Sequence, residues 1–168
     1  MEGKTWICGD FTTVYQIIPE SHWTMKELDP DAMSKWVFCE YDEIGNKPGE
    51  FVRQGYVIVV AGKMFGCGSK TVEHPTHALK GAGVKLVVAE SFSRYSYRNA
   101  LNLALPVMIC PGITDIVARG DLLEVDRQSG IIINKTSGVK IQAEPIPPFG
   151  EELINNGGLL GYIRRKGV

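Results

Sequence analysis

Three short apolar runs constrain the fold of this chain more than any other feature of its sequence. They lie at residues 56–60, 84–89 and 106–110, and apart from Lys85 each is continuous rather than alternating. Continuous apolar runs of this length are typical of buried parallel strands. The residues between them are predicted to be helical, from about 69 to 80 and from 92 to 104. Strands that alternate with helices in this way indicate an α/β fold with right-handed crossovers, and residues 56–110 are its predicted parallel core.

The flanking segments are predicted to complete one mixed domain that spans residues 1–168. Before the core we predict a strand, a helix and a surface loop, at residues 5–8, 31–38 and 41–51. After the core come three short strands separated by turn residues, at residues 121–126, 130–134 and 138–141. This spacing favours an antiparallel meander. A helix at residues 151–156, ended by Gly157-Gly158, is predicted to close the chain.

The amino-acid composition limits the kinds of molecule that this chain is expected to bind. With 18 Lys and Arg against 19 Asp and Glu, the formal charge is −1, so no basic field favours nucleic acid or an anionic membrane surface. No apolar run approaches the roughly 18 residues that span a bilayer, and no signal peptide is predicted, so we expect a cytoplasmic protein. The four cysteines contain no Cys-x-x-Cys pair, which predicts no zinc or iron–sulfur site in this chain.

The loop after the first core strand contains the candidate ligand-binding turn, Gly66-Cys67-Gly68-Ser69. Its glycines allow the backbone to approach a ligand closely. Ser69 is predicted to cap the following helix and to place its hydroxyl at the positive helix end, where an anion would bind. The same pattern is equally typical of a purely structural strand-to-helix turn. It matches neither the phosphate loop nor the Gly-x-Gly-x-x-Gly motif.

A longer set of motifs resembles one known family. The motifs are GKMFGCGS at residues 62–69, EH at 73–74, ALKGAGVKLVVAESFSRYSYRNA at 78–100, WICGD at 6–10, QIIP at 16–19 and GGLLGYI at 157–163. Together they resemble the small subunits of 3-isopropylmalate dehydratase and homoaconitase, and the resemblance covers nearly the whole chain. In fold, it implies the swivelling β/β/α domain of the aconitase C-terminal type, with a parallel core plus antiparallel strands.

The resemblance also implies a chemistry. Members of this family are hydro-lyases, including one of leucine biosynthesis, that dehydrate a hydroxy-carboxylic acid and rehydrate the alkene. They work as heteromers, in which a large subunit holds a 4Fe-4S cluster and this chain would supply the opposite face of the site. Ser69 matches the family's proton-abstracting base. The residues that the resemblance assigns to substrate binding are Gly66, Cys67, Gly68, Lys70, Thr71, Asp10 and Arg94.

Several of these positions depart from the family pattern or allow another interpretation. The family's carboxylate-gripping arginine after the serine is absent, and Lys70-Thr71-Val72 stands in its place. Lys70 supplies the charge without the forked geometry, or is a solvated lysine. Asp10 either shapes the active-site mouth or caps a turn. Arg94 and Arg98 either hold an anion or pair with local acids and the partner subunit.

The substrate-facing surface is predicted to differ as well. Thr13 and Tyr15 occupy positions where the family has acids, which would change the polarity of the mouth. His22, Trp23 and Met25 lie where the family has its specificity loop, and they either contact a substrate side chain or pack onto the domain.

Three functions therefore stay open from the sequence. The first is an isopropylmalate-dehydratase-like small subunit, active only with its large subunit. The second is a homologous subunit with a different substrate, and the third is a non-catalytic binding or assembly domain.

A Glu73–His77 metal pair lacks a third ligand, so no metal site is predicted in this chain.

Overall fold

A computed structural model describes residues 1–23, 29–42, 47–69 and 72–167, and its strands form one seven-stranded mixed sheet. The strands are β1 (Glu2–Cys8), β2 (Ile58–Ala61), β3 (Leu86–Ala89), β4 (Val107–Ile109), β5 (Leu122–Asp126), β6 (Ile131–Asn134) and β7 (Lys140–Gln142). Their order across the sheet is β4-β3-β2-β1-β5-β6-β7.

Strand β1 joins the two halves of the sheet. It pairs parallel with β2, with Cys8 opposite Ala61, and antiparallel with β5, with Gly3 opposite Leu123. The parallel half is therefore β4-β3-β2-β1, and the antiparallel half is β5-β6-β7. The predicted α/β class, a parallel core plus an antiparallel meander, is confirmed. The predicted boundary of the parallel core at residue 56 is wrong, because β1 belongs to it.

The two faces of the parallel half are both buried, which explains the continuous apolar runs. Val59 and Val87 point into one core with Trp6, while Ile58 and Val60 point into the other. Successive residues of a strand point to opposite faces, so a strand covered on both sides needs an apolar residue at every position. The first core also takes side chains from the helices at residues 14–34 and 74–102, and the second takes Ile113 and part of the meander.

Eight α-helices connect and flank the described strands. They are α1 (Val14–Ile17), α2 (Pro30–Ser34), α3 (Glu50–Arg53), α4 (His74–Gly81), α5 (Arg94–Asn102), α6 (Ile113–Ile116), α7 (Pro148–Asn155) and α8 (Leu159–Lys166). None of the helices in the described part of the chain is long and apolar enough to cross a membrane.

Four helical predictions need correction. Helix α4 begins at His74 and not near Ser69. Pro75 lies in its first turn, where backbone N–H groups have no partner within the helix, so proline costs no hydrogen bond there. Helix α2 ends at Ser34, earlier than predicted. Helix α3 begins inside the segment predicted to be a loop. After Gly157-Gly158, which was predicted to end the last helix, the chain re-enters a helix, α8.

Candidate active site

The candidate site lies at the edge of the sheet where the parallel strands end. Cys8, Ala61 and Ala89 are in register at this edge, so the loops that follow β1, β2 and β3 emerge side by side. In open α/β sheets, ligands bind in the crevice outside the carboxyl ends of the strands. The loop after β2 carries Ser69, and the loops after β1 and β3 make contacts that hold this β2 loop in place.

Asp10, in the loop after β1, organises the start of the β2 loop. Its Oδ1 atom accepts a hydrogen bond from the Lys63 N–H at 2.7 Å, and the Phe11 N–H donates to the Lys63 carbonyl at 2.7 Å. A Cβ added at Gly62 would lie 2.1 Å from the same Oδ1, so the close approach requires glycine. Asp10 therefore braces the loop with at least one carboxylate oxygen, which supports the turn-capping interpretation of this residue.

Gly66 is the most constrained position of the loop. Its φ is +74°, and its carbonyl accepts hydrogen bonds from the Ser93 and Ser96 hydroxyls at 2.8 and 2.6 Å. A Cβ at this position would lie 2.1 Å from the Ser96 Oγ. Since Ser93 also caps α5 by accepting from the Ser96 N–H, the turn is anchored directly to a helix N-terminus. Gly66 therefore anchors the loop to α5, and its role in substrate binding stays a prediction.

The next residues are joined to the N-terminal segment that leads into α1. Cys67 forms a parallel bridge with Thr13, and its carbonyl accepts a hydrogen bond from the Val14 N–H at 2.9 Å. The half-buried Cys67 thiol lies 3.4 Å from the Phe11 carbonyl oxygen. Gly68, with φ at +98°, lies against Thr13 and the ring of Tyr15. The structure therefore places α1 beside the residue that directly precedes Ser69.

Ser69 is half-buried and lies outside any helix, so the prediction that it caps α4 is wrong. Glu73 occupies the N-cap position instead, and the Asn99 amide fixes the approach to the helix by donating to the Val72 carbonyl at 3.1 Å. Ser69 therefore precedes the N-cap residue of α4 by four positions in the chain. Lys70 and Thr71, which were predicted to bind substrate, lie outside the described residues.

A stack of three aromatic rings flanks the turn. Tyr15 stacks on Trp23 with ring centroids 5.5 Å apart, and Trp23 stacks on His74 at 5.0 Å, with interplanar angles of 10° and 9°. The Trp23 indole N–H also donates to the Ile18 carbonyl at 3.1 Å. Trp23 is sandwiched inside this stack and packs onto the first core, in agreement with the packing alternative for this residue.

His22, another residue of the predicted specificity loop, makes a separate ring contact. His22 stacks on Trp36 with centroids 3.5 Å apart, and Met25 lies outside the described residues. His74 has its Nδ1 atom buried with no hydrogen-bond partner among the residues that the structure describes.

A recess of about 310 Å³ adjoins Asp10 at the end of β1. Its lining includes Cys8, Gly9, Tyr41, Gly62 and Thr114. The Gly9 N–H donates to the Tyr41 hydroxyl at 2.7 Å, and burial raises the pKa values of Tyr41 and Cys8, so both groups are neutral at physiological pH. Sequence reasoning missed Tyr41, which stood in a segment predicted to be a surface loop and carries no local signal of this contact.

Arg94 lies in a different recess. It lines a depression of about 240 Å³ together with Phe92, Tyr97 and Arg98, so the structure brings the two predicted arginines together. None of the described residues that line this depression also lines the recess beside Asp10. The structure therefore does not group Arg94 with Asp10.

The predicted acid–histidine pair on α4 is a weak ionic contact. The Glu73 Oε2 and His77 Nε2 atoms are 3.8 Å apart, and burial lowers the pKa of His77 in spite of this neighbour. Within the described ranges, no group of three or more His, Cys, Asp or Glu side chains is arranged to hold a metal ion.

Comparison with known proteins identifies the family. Residues 27–110 match the family described as "Aconitase C-terminal domain". The chain is 41% identical to the 3-isopropylmalate dehydratase small subunit 1 of Methanopyrus kandleri, over 99% of this chain and 94% of that relative. It is 37% identical to the isopropylmalate/citramalate isomerase small subunit of Methanocaldococcus jannaschii, over 99% of this chain and 95% of the relative.

A solved structure supports the same family. The crystal structure of a 3-isopropylmalate dehydratase from Methanocaldococcus jannaschii superimposes with a TM-score of 0.86 at 31% sequence identity, covering 99% of this chain and 94% of that one. The chain therefore belongs to the family of 3-isopropylmalate dehydratase small subunits, which have the fold of the aconitase C-terminal domain.

Proposed function

We propose that this chain is the small subunit of a heteromeric hydro-lyase that dehydrates a hydroxy-carboxylic acid of the isopropylmalate type, with Ser69 as the proton-abstracting base. The observation that carries the proposal is the anchoring of the turn at residues 66–69. Four hydrogen bonds, together with close contacts, from two neighbouring segments hold Gly66 to Gly68 next to a half-buried serine. A reacting group held on such a rigid turn needs little reorganisation during the reaction.

The base would act on the carbon next to a substrate carboxylate. As its alkoxide, Ser69 Oγ takes the proton from that carbon while the neighbouring C–O bond breaks and its electron pair leaves with the hydroxide. On rehydration the serine hydroxyl returns the proton and regenerates the alkoxide. A serine hydroxyl is a weak base unless positive charge or hydrogen-bond donors stabilise its alkoxide in a water-poor site. We assign this charge to Lys70, the next residue in the sequence.

The iron–sulfur cluster is proposed to belong to the large subunit. Three of this chain's four cysteines are buried, and Cys67 is engaged with the Phe11 carbonyl. This chain's side chains therefore offer no cluster-binding set among the described residues. When bound by the partner, the cluster supplies a Lewis acid for the substrate hydroxyl and carboxylate. In this proposal residues 1–168 form one swivelling domain that covers the substrate and excludes water from it.

The test is a reconstituted complex. The chain is co-expressed with its large subunit, the cluster is rebuilt anaerobically, and alkene absorbance is followed with hydroxy-diacids and hydroxy-monoacids. We expect turnover by the wild type and a loss of at least about 100-fold in Ser69→Ala, the usual contribution of a general base. Ser137→Ala, in the exposed turn before β7, is the matched control and should retain full activity.

Two outcomes would contradict the proposal. Full turnover after Ser69→Ala would refute the proposal that Ser69 is the proton-abstracting base. A stable, cluster-loaded complex that turns over none of the acids would favour the non-catalytic assembly domain instead.

A further inference from the structure

The second residue of helix α1, Tyr15, lies beside Gly68, the residue before the proposed base. If Gly68 carried a Cβ atom, that atom would be 3.5 Å from the Tyr15 Cε2, so the ring edge is in contact range of the residue before Ser69. This placement is fixed by the backbone, because the Val14 N–H donates to the Cys67 carbonyl and Thr13 bridges to Cys67.

The side chains that face Gly68 from this segment are apolar. Thr13 uses its hydroxyl in the capping box of α1, where it accepts from the Gln16 N–H at 3.2 Å and lies 3.2 Å from the Gln16 Oε1. Its methyl group is left to face Gly68, 3.5 Å from the position of an added Cβ. Gly68, the residue before the base, is therefore flanked from this segment by a methyl group and the edge of an aromatic ring.

The Tyr15 ring is rigid but only partly covered. Trp23 covers one of its faces, and Trp23 is itself held by the Ile18 carbonyl and by His74 on its far side. The Tyr15 side chain nevertheless remains 40% exposed, which is unusual for an aromatic residue whose ring is built into a stack. A preorganised ring with an open surface offers apolar contact at a low cost in conformational entropy.

We propose that Tyr15 forms the wall that receives the substituent of the substrate, and that it selects hydroxy-diacids with an apolar alkyl or aryl substituent. This inference rests on the proposed function. A charged substituent against the face of this ring would lose water without gaining an ionic partner from Tyr15, and it would be rejected for that reason. Trp23 acts as a positioning residue that holds the Tyr15 ring in place.

The experiment measures kcat/KM of the reconstituted complex for hydroxy-diacids that carry hydrogen, methyl, isopropyl, benzyl or carboxyethyl as the substituent. The wild type should prefer isopropyl or benzyl to carboxyethyl. Tyr15→Ala should lose about 10- to 100-fold for the isopropyl and benzyl acids and less than about 3-fold for the unsubstituted acid, the usual scale for apolar pocket contacts. Tyr15→Phe should keep the wild-type order.

Tyr162→Ala is the matched control, because Tyr162 is also a partly exposed tyrosine in ring contact, with Phe149, on the C-terminal helices. It should change no ratio between substrates. Circular dichroism and size-exclusion chromatography of each complex keep loss of folding or of subunit association separate from loss of selectivity.

Each other result overturns the inference in an identifiable way. An equal loss of kcat/KM for all substrates in Tyr15→Ala would refute the proposal that Tyr15 contacts the substituent. A preference of the wild type for the carboxyethyl acid would refute it too. Weakened subunit association in Tyr15→Ala would assign the ring to the interface with the large subunit. Turnover of none of the acids by the wild type would instead refute the proposed function, and the inference would fall with it.

Discussion

The substitution Gly66→Ala tests whether the turn that carries Ser69 is held by its contact with helix α5. The new methyl group would sit at a residue with φ of +74° and lie 2.1 Å from the Ser96 Oγ and 2.6 Å from its Cβ. A non-glycine residue in the left-handed region costs about 1–2 kcal/mol. Overpacking a filled site adds about 1–3 kcal/mol, and breaking the Ser96 hydrogen bond adds about 1 kcal/mol.

We therefore expect Gly66→Ala to lower the free energy of unfolding by about 3–5 kcal/mol, the sum of these contributions after some relaxation of the loop. Gly138→Ala is the matched control. Gly138 has a φ of +78°, but an added Cβ there meets no atom within 4 Å. This control should lose only the backbone cost of about 1–2 kcal/mol.

Urea unfolding of both variants, followed by tryptophan fluorescence, measures the difference, with Trp6 as a reporter that is 1% exposed. Combining Gly66→Ala with Ser96→Ala should recover part of the loss, because the Oγ contact disappears while the Cβ contact remains. Equal destabilisation in Gly66→Ala and Gly138→Ala, or no coupling with Ser96→Ala, would refute the reasoning.

Two further predictions concern titratable groups. Cys67 is half-buried whereas the other three cysteines are buried, and burial raises the pKa of Cys110 to about 11, so a chromogenic disulfide should label a single thiol rapidly in the native protein. Cys67→Ser should abolish that phase, and rapid labelling of two or more thiols would contradict the burial pattern. Burial lowers the pKa of His77, so the unfolded state binds a proton that the folded state does not, and the free energy of unfolding should fall as the pH drops below about 6.5. His77→Gln should lessen this fall in urea titrations at about pH 7.5 and 5.5, and an unchanged pH dependence would show that another group is responsible.

The strands of the parallel half were predictable because each residue of a doubly covered strand must be apolar. Residues 58–61, 86–89 and 107–109 are strands close to their predicted positions. Strand β1 was predicted as a strand but not as part of the parallel core. Its neighbours in the sheet are β2 and β5, more than 50 residues away in the chain, and no local pattern encodes that pairing.

The predicted helix boundaries were wrong where two local sequence signals competed. Ser69 is a good N-cap residue, but Pro75 in the first turn of α4 places the observed start at His74. Proline lacks an amide hydrogen and suits the first turn, so it can mark a helix start as well as a break. The same ambiguity applies to Gly157-Gly158, which separates α7 from α8 rather than ending the last helix.

The sequence by itself determined the family, the α/β class and the turn that carries Ser69, because these depend on local motifs and on apolar periodicity. Only the tertiary structure decided what surrounds that serine. The stack of Tyr15, Trp23 and His74 joins residues from three separate segments, and the bracing of the turn by Asp10 and Ser96 joins two loops and helix α5. Such contacts arise from how the chain is brought together at the end of the sheet, and the spacing of residues along the chain does not record them.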